Sequence, residues 1–316
     1  MVSLQAVRSR LADDRAVSVV VAGGRPVGAA RPRWWTQIVV IGAVLWAYDA
    51  INNLSALRRT AALAHGVSLV HLEARLHLEP ELALNRWLAT HVTLGRLVGD
   101  YYDLFHFAVT LSVLAAVWWR HPGRYRPARN ALVLTNVIGF AVYWLFPVAP
   151  PRMLPSLGFV DVVAVMHSVG AWSSGALASQ ANEFAAMPSL HVAWAIWCAM
   201  AVWLVTTNRW ARLGAAVYPL LTAVVVMATA NHYFLDVAAG VVTAVAAGAV
   251  AVSWDGRRHR RRATLRADRA TPDRRVDDGP GERGEVVDLR AAERAEAPAA
   301  VDRPSVDVGS REPGPP

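Results

Sequence analysis

Lysine is missing altogether from this chain of 316 residues, so all 32 basic residues are arginines. Cysteine occurs once, as Cys198 inside an apolar stretch. A lone thiol excludes an intrachain disulfide, so no outer loop is stapled, and a metal site would lack its usual thiolate ligands. The histidines show no metal-ligand spacing, and the chain has no internal repeat. Charge is scarce over long runs: 54% of residues are hydrophobic and the mean hydropathy is +0.28, more apolar than soluble domains. Residues 1–33 are polar and Arg-bearing, and the apolar block that begins near Thr36 is too long for a signal-peptide core. That block reads as an uncleaved span.

Several apolar blocks run about 20 residues, the length that crosses a bilayer core. The expected fold is therefore all-α: a polytopic membrane bundle of about six transmembrane helices, placed at 36–56, 98–119, 130–148, 189–206, 212–230 and 233–253. Residues 1–35 form an N-terminal segment and 36–253 the membrane domain. Residues 254–316, dense in Arg, Asp, Glu, Gly and Pro, read as a disordered tail. The net charge of +8 would suit nucleic acid, but the arginines cluster just outside the apolar blocks, where they act as topology signals. No nucleic-acid partner is expected. Arg25, Arg31 and Arg33, then Arg120–Arg129, Arg209 and Arg212, and Arg257–Arg262 fall on one side of a six-span chain. That side is expected to be cytoplasmic, with both termini on it, in the cell membrane. The loop 57–97 runs against the rule with five arginines. Leu69, Leu72 and Leu76 recur there at helical spacing, and Glu79-Pro80-Glu81 marks a helix start, so short amphipathic helices at the outer interface are expected.

Three polar segments then meet at the opposite, extracytoplasmic face. Span three ends in Phe146-Pro147-Val148-Ala149-Pro150-Pro151-Arg152, span four begins at Met187-Pro188-Ser189-Leu190-His191, and span six begins at Asn231-His232-Tyr233-Phe234-Leu235-Asp236. His232 and Asp236 are four apart, so they share a helix face. A carboxylate there can fix an imidazole tautomer and free the other nitrogen. Free N–H groups at the start of span four, with the Ser189 hydroxyl, suit an anion, and Arg152 can fork onto phosphate oxygens. Each feature alone also has a plain structural reading, as a His–Asp pair, a helix cap or an interfacial arginine. Their convergence points to phosphate chemistry. Tyr102 and His106, four apart in span two, and Asn182, before span four, are weaker candidates for a substrate pocket.

These segments resemble the type 2 phosphatidic acid phosphatase superfamily, over about Val67 to Val252. Met187-Pro188-Ser189-Leu190-His191 is similar to its Pro-Ser-x-His segment, and His232-Tyr233-Phe234-Leu235-Asp236 to its His-x-x-x-Asp segment. Pro147-Val148-Ala149-Pro150-Pro151 resembles a stretch of the branch that contains fungal inositol phosphorylceramide synthase. Two cations of the main pattern are absent: there is no lysine, and Val226 stands where an arginine precedes the third motif. The resemblance implies that His232 attacks phosphorus to form a phosphohistidine, Asp236 orients it, and His191 protonates the leaving alcohol. Arg152 and Ser189 would hold the phosphate, with no metal and no cofactor. The expected function is hydrolysis of a lipid phosphate ester at the outer face. A head-group phosphotransferase using an alcohol acceptor is the alternative, and a non-catalytic lipid-phosphate carrier a more distant one.

Overall fold

A computed structural model describes residues 31–166 and 184–270. Backbone contacts divide the chain into Met1–Arg266 and Ala267–Pro316; of the second part only 267–270, the end of the last helix, is described. Ten α-helices follow one another: α1 (Trp34–Ser55), α2 (Arg59–Leu76), α3 (Pro80–Ala89), α4 (Val92–Asp100), α5 (His106–Arg120), α6 (Pro122–Leu145), α7 (Val162–Met166), α8 (Leu190–Val205), α9 (Arg209–Ala228) and α10 (Phe234–Ala270). Among the described residues there is no strand, only an isolated bridge between Val148 and Ala185. The all-α expectation holds, and four helices (α1, α6, α9 and α10) are long and apolar enough to cross a membrane.

The other two expected spans take a different form. Helix α8 lies where span four was expected, at 189–206, but at 16 residues it is a shorter apolar helix. Span two is part of one helical path over 92–120, in which a π-helical turn at Tyr101–Phe105 joins α4 to α5. Helix α10 continues past 253 through Ala270, where the sequence suggested a disordered tail. Arginine and alanine are good helix formers, so backbone hydrogen bonding carries on beyond the apolar block. The rest of that tail, 271–316, lies outside the described residues.

Helix α8 is the hub, packing on α5, α6 and α9, while α1 packs on α6 at the edge. Ala193, Ala195, Trp197 and Ala201 of α8 are buried, whereas large apolar side chains such as Leu45, Leu111, Leu220 and Val242 face outward. This is the membrane pattern: small residues let backbones approach, and lipid covers the bulky ones. Gly240 shows how close the approach is. A Cβ there would meet the Ser189 carbonyl oxygen at 2.4 Å, so glycine lets α10 lie against the start of α8.

The outer helices are amphipathic, with a mixed polar and apolar face turned to the protein. Helix α2 turns Ala62, Gly66, Leu69 and Glu73 inward and leaves Leu72 and Leu76 exposed. Helix α3 buries Glu81, Asn85 and Leu88 and exposes Trp87. Apolar surroundings explain the buried polar residues: polar side chains go inward, where the unpaired backbone groups of helix ends give them partners. Asn85 accepts from the Val160 N–H at 2.8 Å and donates to the carbonyls of Val160 and Ala228 at 2.9 and 3.0 Å. Leu235 N–H donates to Glu73 Oε1 at 2.6 Å.

Candidate active site

The three polar segments come together as the sequence suggested, and backbone hydrogen bonds fasten them. Val148 N–H donates to the Phe184 carbonyl at 3.0 Å, Arg152 N–H to Ala230 at 2.8 Å, and Ser189 N–H to Asp236 at 3.0 Å. Tyr233 OH donates to the Ala149 carbonyl and Tyr143 OH to the Pro188 carbonyl, both at 2.8 Å. The proline-rich stretch therefore serves as a rigid strap whose carbonyls anchor the other two segments.

His232 is buried, and its Nδ1 lies 2.8 Å from the Ala186 carbonyl oxygen. A carbonyl only accepts, so Nδ1 carries the hydrogen and Nε2 presents its lone pair. Nε2 faces His191 Nδ1 at 3.4 Å. Asp236 does not make the close bond to His232: its Oδ2 is 3.6 Å from Nδ1 and accepts the Tyr233 N–H at 2.9 Å. Asp236 thus holds the turn that carries His232, while Ala186 orients the imidazole. Asp236 is fully buried, and its Oδ1 has no hydrogen-bond partner. A carboxylate so placed stabilises positive charge on the adjacent imidazole through space.

Ser189 caps α8, its Oγ accepting from Val192 N–H at 3.4 Å, and its hydroxyl hydrogen remains a donor. Arg152 is partly exposed at the mouth. Its Nη1 donates to Asn231 Oδ1 at 2.6 Å, and its Nε is 3.6 Å from Asp161 Oδ2. The guanidinium is thereby aimed but keeps donors to spare. Tyr102 and His106 belong to the site: Tyr102 stacks on His191 with ring centroids 4.5 Å apart, and the buried His106 ring lies 4.2 Å from it. They pack behind His191, where the sequence suggested a substrate pocket. Asn182 lies outside the described residues. Val226 is buried among apolar neighbours, so no cation reaches the site from that position. The described residues hold no group of three or more His, Cys, Asp or Glu side chains that could bind a metal ion.

A family model of the PAP2 superfamily matches residues 67–250. The chain belongs to the PAP2 superfamily. Its members are typically phosphatases or phosphotransferases acting on phosphate esters. The match covers the strap and both histidine segments and ends within α10. No curated protein and no solved structure matches this superfamily member.

Sequence reading missed Asn231, Asp161 and, above all, the Glu73–Glu81 pair. Both glutamates are almost completely buried, outside the membrane-spanning helices. A signal was there: Ala62, Gly66, Leu69 and Glu73 recur at steps of four, three and four, as do Glu81, Asn85 and Leu88 at four and three. Burial, reinforced by Glu81, pushes the Glu73 carboxyl from 4.5 to about 9, and burial pushes Glu81 up as well. At neutral pH Glu73 is a neutral acid, its Oε1 accepting from Leu235. A folded-state pKa above the unfolded one means that the native state holds the extra proton. Stability is then full below about pH 4.5 and falls as pH rises toward about 9. Glu73→Gln keeps an acceptor for Leu235 without titrating. Its melting temperature, scanned from pH 5 to 9, is expected to decline less with pH than the wild type's. Equal slopes for the two proteins would contradict the assignment.

Proposed function

We propose that this PAP2 superfamily member hydrolyses a lipid phosphate ester through a phosphohistidine on His232, at the extracytoplasmic face of the cell membrane. The observation that carries the reading is the His232 environment. Its Nδ1–H is tied to a carbonyl, and its bare Nε2 confronts a second histidine. In the first step the Nε2 lone pair forms the N–P bond and the P–O bond to the lipid alcohol breaks. His191 enters this step as the imidazolium, gives its Nδ1 proton to the departing oxygen and becomes the neutral imidazole. His232 is then a phosphorylated cation, stabilised by Asp236 and the Ala186 carbonyl. Water next attacks phosphorus, the N–P bond breaks, and His191 takes the water proton. Arg152, the Ser189 hydroxyl and the first N–H groups of α8 bear the negative charge of the phosphoryl oxygens.

A phosphoryl group between the histidines requires the rings to part. His191 is half-buried and His232 buried, so His191 is the ring that turns aside. The outer placement rests on the arginine distribution, and the lipid substrate on apolar helices surrounding a polar site at their ends.

An alcohol in place of water at the second step would give a head-group phosphotransferase. With fewer fixed cations than the superfamily's main pattern, the site suits a phosphodiester as well as a dianionic monoester. The test is phosphate release from phosphatidic acid, a polyprenyl pyrophosphate and phosphatidylinositol phosphates by purified protein, with and without candidate acceptor alcohols. Free phosphate without any acceptor supports the hydrolase. A new lipid product that appears only with an acceptor makes the protein a transferase. Inertness on every substrate and acceptor would reject the enzyme reading and favour a carrier.

A further inference from the structure

At the end of the bundle away from the histidines lies a second concentration of polar side chains. Helix α6 has its last residue near the strap, and Arg126 and Arg129 near its start, roughly 25–30 Å away at 1.5 Å per residue. Helix α10 likewise begins at the site and reaches Asp255 and Arg258 about six turns later. These positions, with Arg33 and Gln37 of the α1 entry, line a cavity of about 320 Å³. Four guanidinium groups thus share one space with a single carboxylate.

That carboxylate does not neutralise them. Asp255 Oδ2 pairs with His259 Nε2 at 3.4 Å, and among the described residues no carboxylate lies within ion-pair distance of the four arginines. Arg129 is held by neutral oxygens: its Nη1 donates to Gln37 Oε1 at 3.1 Å and its Nη2 to Asn130 Oδ1 at 2.7 Å. Gln37 is buried and also receives the Tyr125 hydroxyl at 3.0 Å. The frame is therefore rigid, while the charge it carries remains unmatched. Like charges gathered in one cavity repel, and an anion with several acceptor oxygens relieves that repulsion.

The surroundings indicate the source of the anion. Trp34, Trp35, Trp119 and Trp254 are all about half exposed or more; Trp34, Trp35 and Trp254 sit at the same end of their helices as the cavity-lining residues, and the Trp119 carbonyl, at the end of α5, accepts from Arg31 beside them. Exposed tryptophans of this kind mark the head-group level of a bilayer. We propose that this cavity is a binding site for the phosphate group of an anionic membrane lipid, separate from the catalytic site. Arg126, Arg129, Arg33 and Arg258 bind the phosphate oxygens, and the acyl chains leave between the helices at the tryptophan level.

The test does not depend on catalysis. Purified protein is placed in nanodiscs of phosphatidylcholine alone or with phosphatidylglycerol, and lipid retention is read by native mass spectrometry alongside the melting temperature. Inorganic phosphate in detergent is a parallel arm. Wild type is compared with Arg126→Gln/Arg258→Gln, which spares the Gln37 frame, and with Arg257→Gln/Arg261→Gln, which makes the same charge change on α10 outside the cavity. The wild type and the outer variant are expected to retain phosphatidylglycerol over phosphatidylcholine, and the cavity variant to bind it roughly 30-fold more weakly, from the usual contribution of two arginines. If inorganic phosphate alone stabilises the wild type as much, and only through the cavity arginines, the site stands and its ligand is free phosphate. No preference for phosphatidylglycerol together with no effect of phosphate would overturn the proposal. So would an equal loss in the outer variant, since the effect would then be general surface charge.

Discussion

Replacement of His232 by alanine is expected to reduce turnover by on the order of 10⁶-fold, the scale seen when the nucleophile of a concerted unit is removed. His232 Nε2 is the nitrogen whose partner Nδ1 is occupied by a carbonyl, which leaves a lone pair beside a proton-bearing histidine. The substitution removes the hydrogen bond to Ala186 and leaves a cavity at a buried ring, so the melting temperature is measured beside activity. The Tyr233–Asp236 turn and the Ser189–Asp236 contact use other atoms and persist. The check is activity together with a rapid-quench search for phosphoenzyme using radiolabelled substrate. Wild type should show an acid-labile, base-stable label, and His232→Ala none. A label that survives in the variant would place the nucleophile elsewhere.

His191→Ala is expected to lower turnover by roughly 10²–10⁴-fold, the usual range for a lost general acid–base group. Its signature is dependence on the leaving group. An alkoxide needs a proton as it departs, whereas p-nitrophenolate does not. The loss should therefore be large with a lipid phosphate and much smaller for phosphoenzyme formation from p-nitrophenyl phosphate. Since the same imidazole activates water in the second step, labelled His232 should accumulate with the activated substrate. A role that is only structural, for example support of the Tyr102 and His106 rings stacked behind it, would depress both substrates alike.

Much of this molecule was legible in one dimension. Apolar blocks of membrane length located the helices, because a bilayer imposes a length and tolerates few charges. Proline, serine and histidine at one block's start, and a histidine four residues before an aspartate at another's, marked the polar ends. The four-residue spacing brought His232 and Asp236 near each other, 3.6 Å apart, although His232 stands in the turn before the helix. What the sequence did not contain was which atom each group touches. The sequence suggested that Asp236 binds His232. The fold gives that bond to the Ala186 carbonyl, because the bridge at Val148 carries the preceding loop to the imidazole. Leu69, Leu72 and Leu76 recur at helical spacing, but only the structure shows that Leu72 and Leu76 face outward while Leu69, Glu73 and Glu81 are buried.

Alternation of apolar and polar residues shows that a helix has two faces, but not which one meets protein. The sequence by itself determined an all-helical membrane bundle and which polar segments would stand at the helix ends. Periodicity, length and charge are properties of the chain alone. Only the tertiary structure decided the hydrogen-bond partners, the burial of the glutamate pair and the gathering of four arginines in one cavity. Each of these depends on segments far apart in sequence, and pairwise contact at that distance is set by packing.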